Sequence, residues 1–143
     1  MKIIDLNILL YVINTSFEQH KAIYKWWLDN LNGDGYIGLT WNVLSGFIRL
    51  STNPRIFPQP LSTKESLIKV DAWLKHPNTV IVQESKDHFN ILSELLESVG
   101  SAGNLTTDAH LAAIAIGHGA AMVSCDNDFA RFSHLRWINP MRD

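Results

Sequence analysis

The stretch that most limits what this chain can become runs from Asn104 to Phe132, NLTTDAHLAAIAIGHGAAMVSCDNDFARF. Asp108 to His118 is an almost unbroken Ala/Leu/Ile run closed by Gly119, which predicts a buried helix. Thr106 and Thr107 are natural N-caps, and an acid in the first turn suits the positive end of the helix dipole. Gly119 supplies the left-handed residue that stops such a helix. Ala120 to Cys125 is then an apolar run of strand length that ends in Asp126-Asn127-Asp128. A helix antiparallel to the strand that follows it begins at the edge where that strand ends. Asp108 and Asp126 should therefore meet at one sheet edge, where open α/β sheets hold their ligands.

The remainder of the chain alternates in the same way. Lys2 to Ile4 reads as a first strand, and Asp5 stands at its end on the same edge as Asp126. The common alternative for such an Asp is a turn or helix cap. Ile8 to Ile13 reads as loop and first helical turn, and Ser16 to Leu31 as an amphipathic helix carrying Phe17, Ile23, Trp26, Trp27 and Leu31. Tyr36 to Leu39 is a second strand, after which Thr40 caps a helix from Trp41 to about Ser51. Ser62 and Glu65 have capping-box spacing and open a helix through Leu74. Thr79 to Gln83 is a third strand, Asp87 to Val99 a helix, and Arg136 to Ile138 a last strand. Strands alternating with helices argue one α/β domain over residues 1–143, with a mostly parallel sheet covered on both faces.

Composition narrows the function classes. An apolar fraction of 46% is that of an ordinary globular chain, and no apolar run approaches a membrane span. The N-terminus does not read as a signal peptide, because Asp5 and Asn7 interrupt its apolar run and no small-residue cleavage site follows. Cys125 is the only cysteine, so no internal disulfide can form, and a reducing cytoplasm is the natural compartment. A net charge of −2 provides no global attraction for nucleic acid, so contacts to it must come from a local patch.

Asp5, Asp108, Asp126 and Asp128 are the candidate functional acids. Like charges at close range need protonation or a bound cation to relieve them. Oxygen-only ligands suit a hard ion such as Mg²⁺ or Mn²⁺, which activates water and stabilises displacement at phosphorus. There is no zinc-spaced His/Cys cluster, nucleophile elbow, Walker loop or dinucleotide fingerprint.

The segments MKIIDLNILLY, LTTDAHLAAIAIGHGA and SCDNDFARF resemble the PIN domain, and more narrowly the VapC toxins of bacterial VapBC toxin–antitoxin pairs. GFIRLSTNPRIFPQPLS and the closing LRWINP are similar to one VapC subgroup. The resemblance implies a three-layer α/β/α fold and a Mg²⁺- or Mn²⁺-dependent ribonuclease acting by metal-activated water. It also implies an RNA substrate of the tRNA or rRNA class and inhibition by a cognate VapB antitoxin. Asp5 matches the family's first acid, Asp108 its third and Asp126 its fourth, with Asp128 an adjacent candidate. Asn7 and Thr107 stand beside these acids as positioning residues, although a turn and a cap are their simpler roles. Arg49 is a candidate phosphate contact, as are Arg55 and Arg131, each weighed against ordinary solvation. The family usually places a Glu early in the helix after the second strand, whereas this chain has no carboxylate between Asp34 and Glu65. That departure favours an alternative, a weak or inactive PIN-like module that binds RNA or its antitoxin. A haloacid-dehalogenase-type phosphatase is disfavoured, since Asp5-Leu6-Asn7 lacks its second Asp. The tryptophans read as packing or interface, and exposed aromatic surface on the helices of Trp26, Trp27 and Trp73 predicts a homodimer.

Overall fold

In the computed structural model, which describes residues 1–142, the strands form one parallel sheet. They are β1 (Lys2–Ile4), β2 (Ile37–Leu39), β3 (Thr79–Ile81), β4 (Ala121–Val123) and β5 (Trp137–Ile138), in spatial order β3-β2-β1-β4-β5. Each neighbouring pair is parallel. The central strands are apolar on both faces, with Ile3, Ile4, Ile37, Leu39, Met122 and Val123 all buried, as a sheet covered on two sides requires.

The helices are α1 (Leu6–Ile13), α2 (His20–Leu31), α3 (Trp41–Ser51), α4 (Thr63–Lys75), α5 (His88–Val99) and α6 (Thr106–Gly117). The chain steps outward from β1 to β2 to β3 and then returns to β4 beside β1. Right-handed crossovers put α1 to α4 on one face and α5 and α6 on the other. The packing agrees: α1 lies against α2 and α3, α3 against α4, and α5 against α6. This is the three-layer α/β/α arrangement. Among the described residues, no helix is long and apolar enough to cross a membrane.

Several local expectations are corrected. Ile8 to Ile13 is a full helix, because the Asp5 carboxylate caps it through Leu6 N at 2.7 Å. The amphipathic helix starts at His20 rather than Ser16, since Asn14 and Ser16 close a polar turn of their own. Helix α6 starts at Thr106 with no side-chain cap; a 3-10 turn, Gly103–Leu105, leads into it, and Thr106 Oγ1 donates back to Gly103 O at 2.9 Å. Trp27 and Trp73 are only 2% and 7% exposed and pack edge to face at 5.9 Å, so they belong to the core and offer no interface. The apolar surface on these helices comes instead from Tyr24, Leu28, Leu67 and Ile68.

Two glycines shape the path of the chain. Gly119, at φ +62°, turns the chain from α6 into β4. Gly46 brings α3 against α1, because a Cβ there would sit 3.0 Å from Leu6 Cδ2.

Candidate metal and nucleic-acid site

The site forms where β1 and β4 end side by side. Their register pairs Ile4 with Val123, which makes Asp5 and Ser124 the next residues on adjacent strands. Ser124 is fully buried, and its Oγ donates to Asp5 Oδ2 at 2.6 Å. The same oxygen accepts from Asn7 Nδ2 at 3.1 Å and from Asp126 N at 3.0 Å. Asn7 also donates to Asp5 Oδ2 at 3.3 Å, and its Oδ1 accepts from Cys125 N at 3.3 Å. Asp5 is thus both a helix cap and a buried acceptor facing the next strand. Burial raises its carboxyl above the usual range; Ser124 and Leu6 oppose that rise, and the nearby Asp126 charge adds to it.

Asp108 reaches this edge from the first turn of α6. Asp126 follows β4, and its Oδ1 caps a short 3-10 turn, Asn127–Arg131, by accepting from Asp128 N at 2.9 Å. Asp126, not Asp128, is the cap of this turn. Asp128 is left with an ion pair to Arg131 at 3.6 Å. Asp108, Asp126 and Asp128 each place a carboxylate oxygen within 4.8 Å of the others. Burial, followed by the charges of Asp5, Asp126 and Asp128, pushes the Asp108 carboxyl up to about 6. Crowded half-buried oxygens whose ionisation is mutually opposed are a donor set that a hard divalent cation fits.

A cavity of about 330 Å³ opens over these groups, lined by Asp5, Asn7, Asn42, Thr107, Asp108, His110 and Asp126 among others. Asp5, Asn7, Thr107, Asp108 and Asp126 are thereby brought to one place. Asp5 lines the same cavity but lies outside the tight group. Arg49 lies on the exposed face of α3 and does not line the cavity, although its neighbour Leu50 does.

Ser124, Asn42 and His110 complete the site. Ser124 closes an apolar strand one register position from Asp5, which was the available signal. Asn42 comes to the cavity from the first turn of α3, where the family usually carries a Glu. His110 enters from α6, its Nδ1 2.9 Å from His88 Nε2 and its Nε2 3.3 Å from Glu84. No sequence pattern announced that trio. Cys125 is no nucleophile here: burial and the Asp5 charge push its thiol up to about 11, leaving little thiolate at neutral pH.

Known proteins share this chain's sequence pattern and fold. The PIN domain family model matches residues 2–135. The chain is 42% identical over 143 residues to Ribonuclease VapC33 of Mycobacterium tuberculosis, covering 100% of both. It is 43% identical over 140 residues to Ribonuclease VapC37 of the same organism, covering 98% of this chain and 97% of that one. The fold matches VapBC2 from Rickettsia felis, bound to a DNA fragment from its promoter, with a TM-score of 0.67 at 22% identity over 96% of this chain and 97% of that one. It also matches Mycobacterium tuberculosis VapC20, a Sarcin-Ricin loop cleaving toxin, with a TM-score of 0.66 at 15% identity over 95% of this chain and 99% of that one. The chain belongs to the PIN-domain family, among its VapC members.

Proposed function

We propose that this protein is a VapC-type toxin, an endoribonuclease that cuts RNA with Mg²⁺ or Mn²⁺. The observation that carries the reading is the cluster of three carboxylates, Asp108, Asp126 and Asp128, with Asp5 lining the cavity beside it. A bound divalent ion supplies Lewis acidity and an activated water for attack at phosphorus.

The chain's own groups do the rest. Asp108 and Asp126, with Asp128 beside them, would hold the ion, and Asp5 would complete its surroundings. Ser124 and Asn7 fix the Asp5 carboxylate in one orientation, so that little rearrangement is needed when the ion arrives. Thr107 and Asn42 offer polar groups at the cavity wall for water or a phosphate oxygen. Arg49, exposed one residue from the lining, is placed for a phosphate further along the strand. Asn42 supplies no charge where the family usually has Glu, so we expect one well-held ion and a second that binds only with RNA.

The VapBC complexes among the fold matches support a cognate VapB-type antitoxin as partner, and a toxin homodimer belongs to the same proposal. Exposed Tyr24, Leu28, Leu67 and Ile68 provide apolar helix surface for such contacts. The test is cleavage of an unstructured RNA by the purified chain with Mg²⁺, beside its Asp5→Asn and Asp108→Asn variants. Cleavage by the parent and none by either folded variant is expected. Equal cleavage by a variant would refute the assignment. A parent that binds RNA and never cuts it would favour the PIN-like binding module.

A further inference from the structure

We propose that Trp41 and Phe89 are stacking platforms for unpaired RNA bases on the rim of the acidic cavity, an inference that rests on the nuclease reading above. The tryptophans divide sharply in the structure. Trp27 and Trp73 are core, Trp26 is half-buried against it, and Trp137 donates its indole N–H to Ser124 O at 2.9 Å. Trp41 differs: it is 55% exposed and is the first residue of α3, directly before the cavity-lining Asn42. Phe89, 77% exposed, is the most exposed large apolar side chain among the described residues. It directly follows His88, whose ring is bonded to the cavity-lining His110.

Neither ring lines the cavity itself; Trp41 precedes a lining residue, and Phe89 follows one that is hydrogen-bonded to a lining residue. The two aromatics come from the segments that follow β2 and β3, paired strands in which Leu39 lies opposite Ile81. A single exposed aromatic needs no explanation. Two of them, opening consecutive segments at an edge lined with carboxylates, fit a specific chemistry. The acids repel phosphate, and a net charge of −2 attracts no polyanion, so affinity for RNA must come from elsewhere. Proteins that hold single strands combine local cations with aromatic rings on which bases stack. Lys86, three residues before Phe89, and Arg49, on the exposed face of α3, provide the cations. Stacking requires bases free of their own helix, so the substrate class is RNA with unpaired bases.

The test uses the full chain carrying Asp5→Asn, to block cleavage, with Mg²⁺ and an unstructured RNA labelled with 2-aminopurine. Adding Trp41→Leu or Phe89→Leu should weaken binding on the order of ten-fold each and abolish the change in 2-aminopurine emission. Trp41→Phe, which keeps a stacking face, should retain most of the affinity. The same RNA annealed to its complement should bind weakly whichever residue is present. Unchanged affinity in both leucine variants would overturn the proposal and leave the nuclease reading standing. Unchanged RNA affinity with an altered oligomeric state would assign the two rings to a protein interface instead. No RNA binding even by the Asp5→Asn parent would overturn the proposal and count against RNA as the substrate.

Discussion

Ser124 Oγ donates a 2.6 Å hydrogen bond to Asp5 Oδ2 across the junction of β1 and β4, joining two residues 119 positions apart in sequence. Ser124 also accepts from Asn7 and from the backbone N–H of Asp126, so one buried hydroxyl ties Asp5 to the Asp126 segment. Replacing it with Ala strands two donors and a half-buried carboxylate. We expect Ser124→Ala to cost about 1–3 kcal/mol of stability. Supporting contacts of this kind also tune metal sites, so cleavage should fall about ten-fold or more. Thermal melts and initial cleavage rates check both. A variant as active as the parent would show that Asp5 does not need this partner.

Asp108 provides a pH prediction whose sign follows from the structure. Its carboxyl titrates near 6 in the fold against an ordinary 3.8, with burial as the first cause and the neighbouring acids as the second. Between those pH values the folded chain keeps a proton that the unfolded chain has lost, so metal-free stability falls as pH rises through the window. Above it the penalty is complete, on the order of 1 kcal/mol once solvent screening is allowed for. Asp108→Asn should therefore raise the metal-free melting temperature at pH 7 and leave it unchanged below pH 4. In the parent, Mn²⁺ must displace that proton, so its affinity should climb from pH 5 to pH 7. Calorimetric titrations at three pH values measure this, and a flat affinity would contradict it.

Asp126 and Asp128 are separable by substitution. Asp126 Oδ1 caps the turn through Asp128 N, a role that Asn fills as well as Asp. Asp126→Asn should keep the fold while losing most cleavage. Asp128→Asn removes one of the three clustered oxygens' charges together with an exposed ion pair to Arg131, worth little in itself. Its stability should change by less than about 0.5 kcal/mol, and its activity should fall comparably to that of Asp126→Asn. Full activity in Asp128→Asn would limit the ion's ligands to the other acids.

The layout of this edge was legible because its signals are local. The Ala-rich run before Gly119, the strand that breaks at Asp126 and the apolar start that breaks at Asp5 place three acids by topology alone. The cap on α1 was harder to read. An Asp that ends a strand and an Asp that starts a helix look alike in sequence, and Asp5 does both. Burial of Trp27 and Trp73 was hidden for another reason: amphipathic spacing shows that a helix has an apolar face and leaves open whether its own core or a partner covers it. Ser124 and the trio Glu84, His88 and His110 depend on register and on contacts between distant segments, and no spacing rule reaches across those distances.

The most direct measurement of the central claim is cleavage of an end-labelled unstructured RNA by the purified chain as free divalent ion is varied. The Asp108, Asp126 and Asp128 cluster, with Asp5 lining the same cavity, predicts no cleavage in excess EDTA. It predicts recovery on adding back Mg²⁺ or Mn²⁺, and no recovery in the Asp5→Asn variant at any metal concentration. Undiminished cleavage in EDTA, with the four carboxylates intact and no ion to hold, would contradict the account.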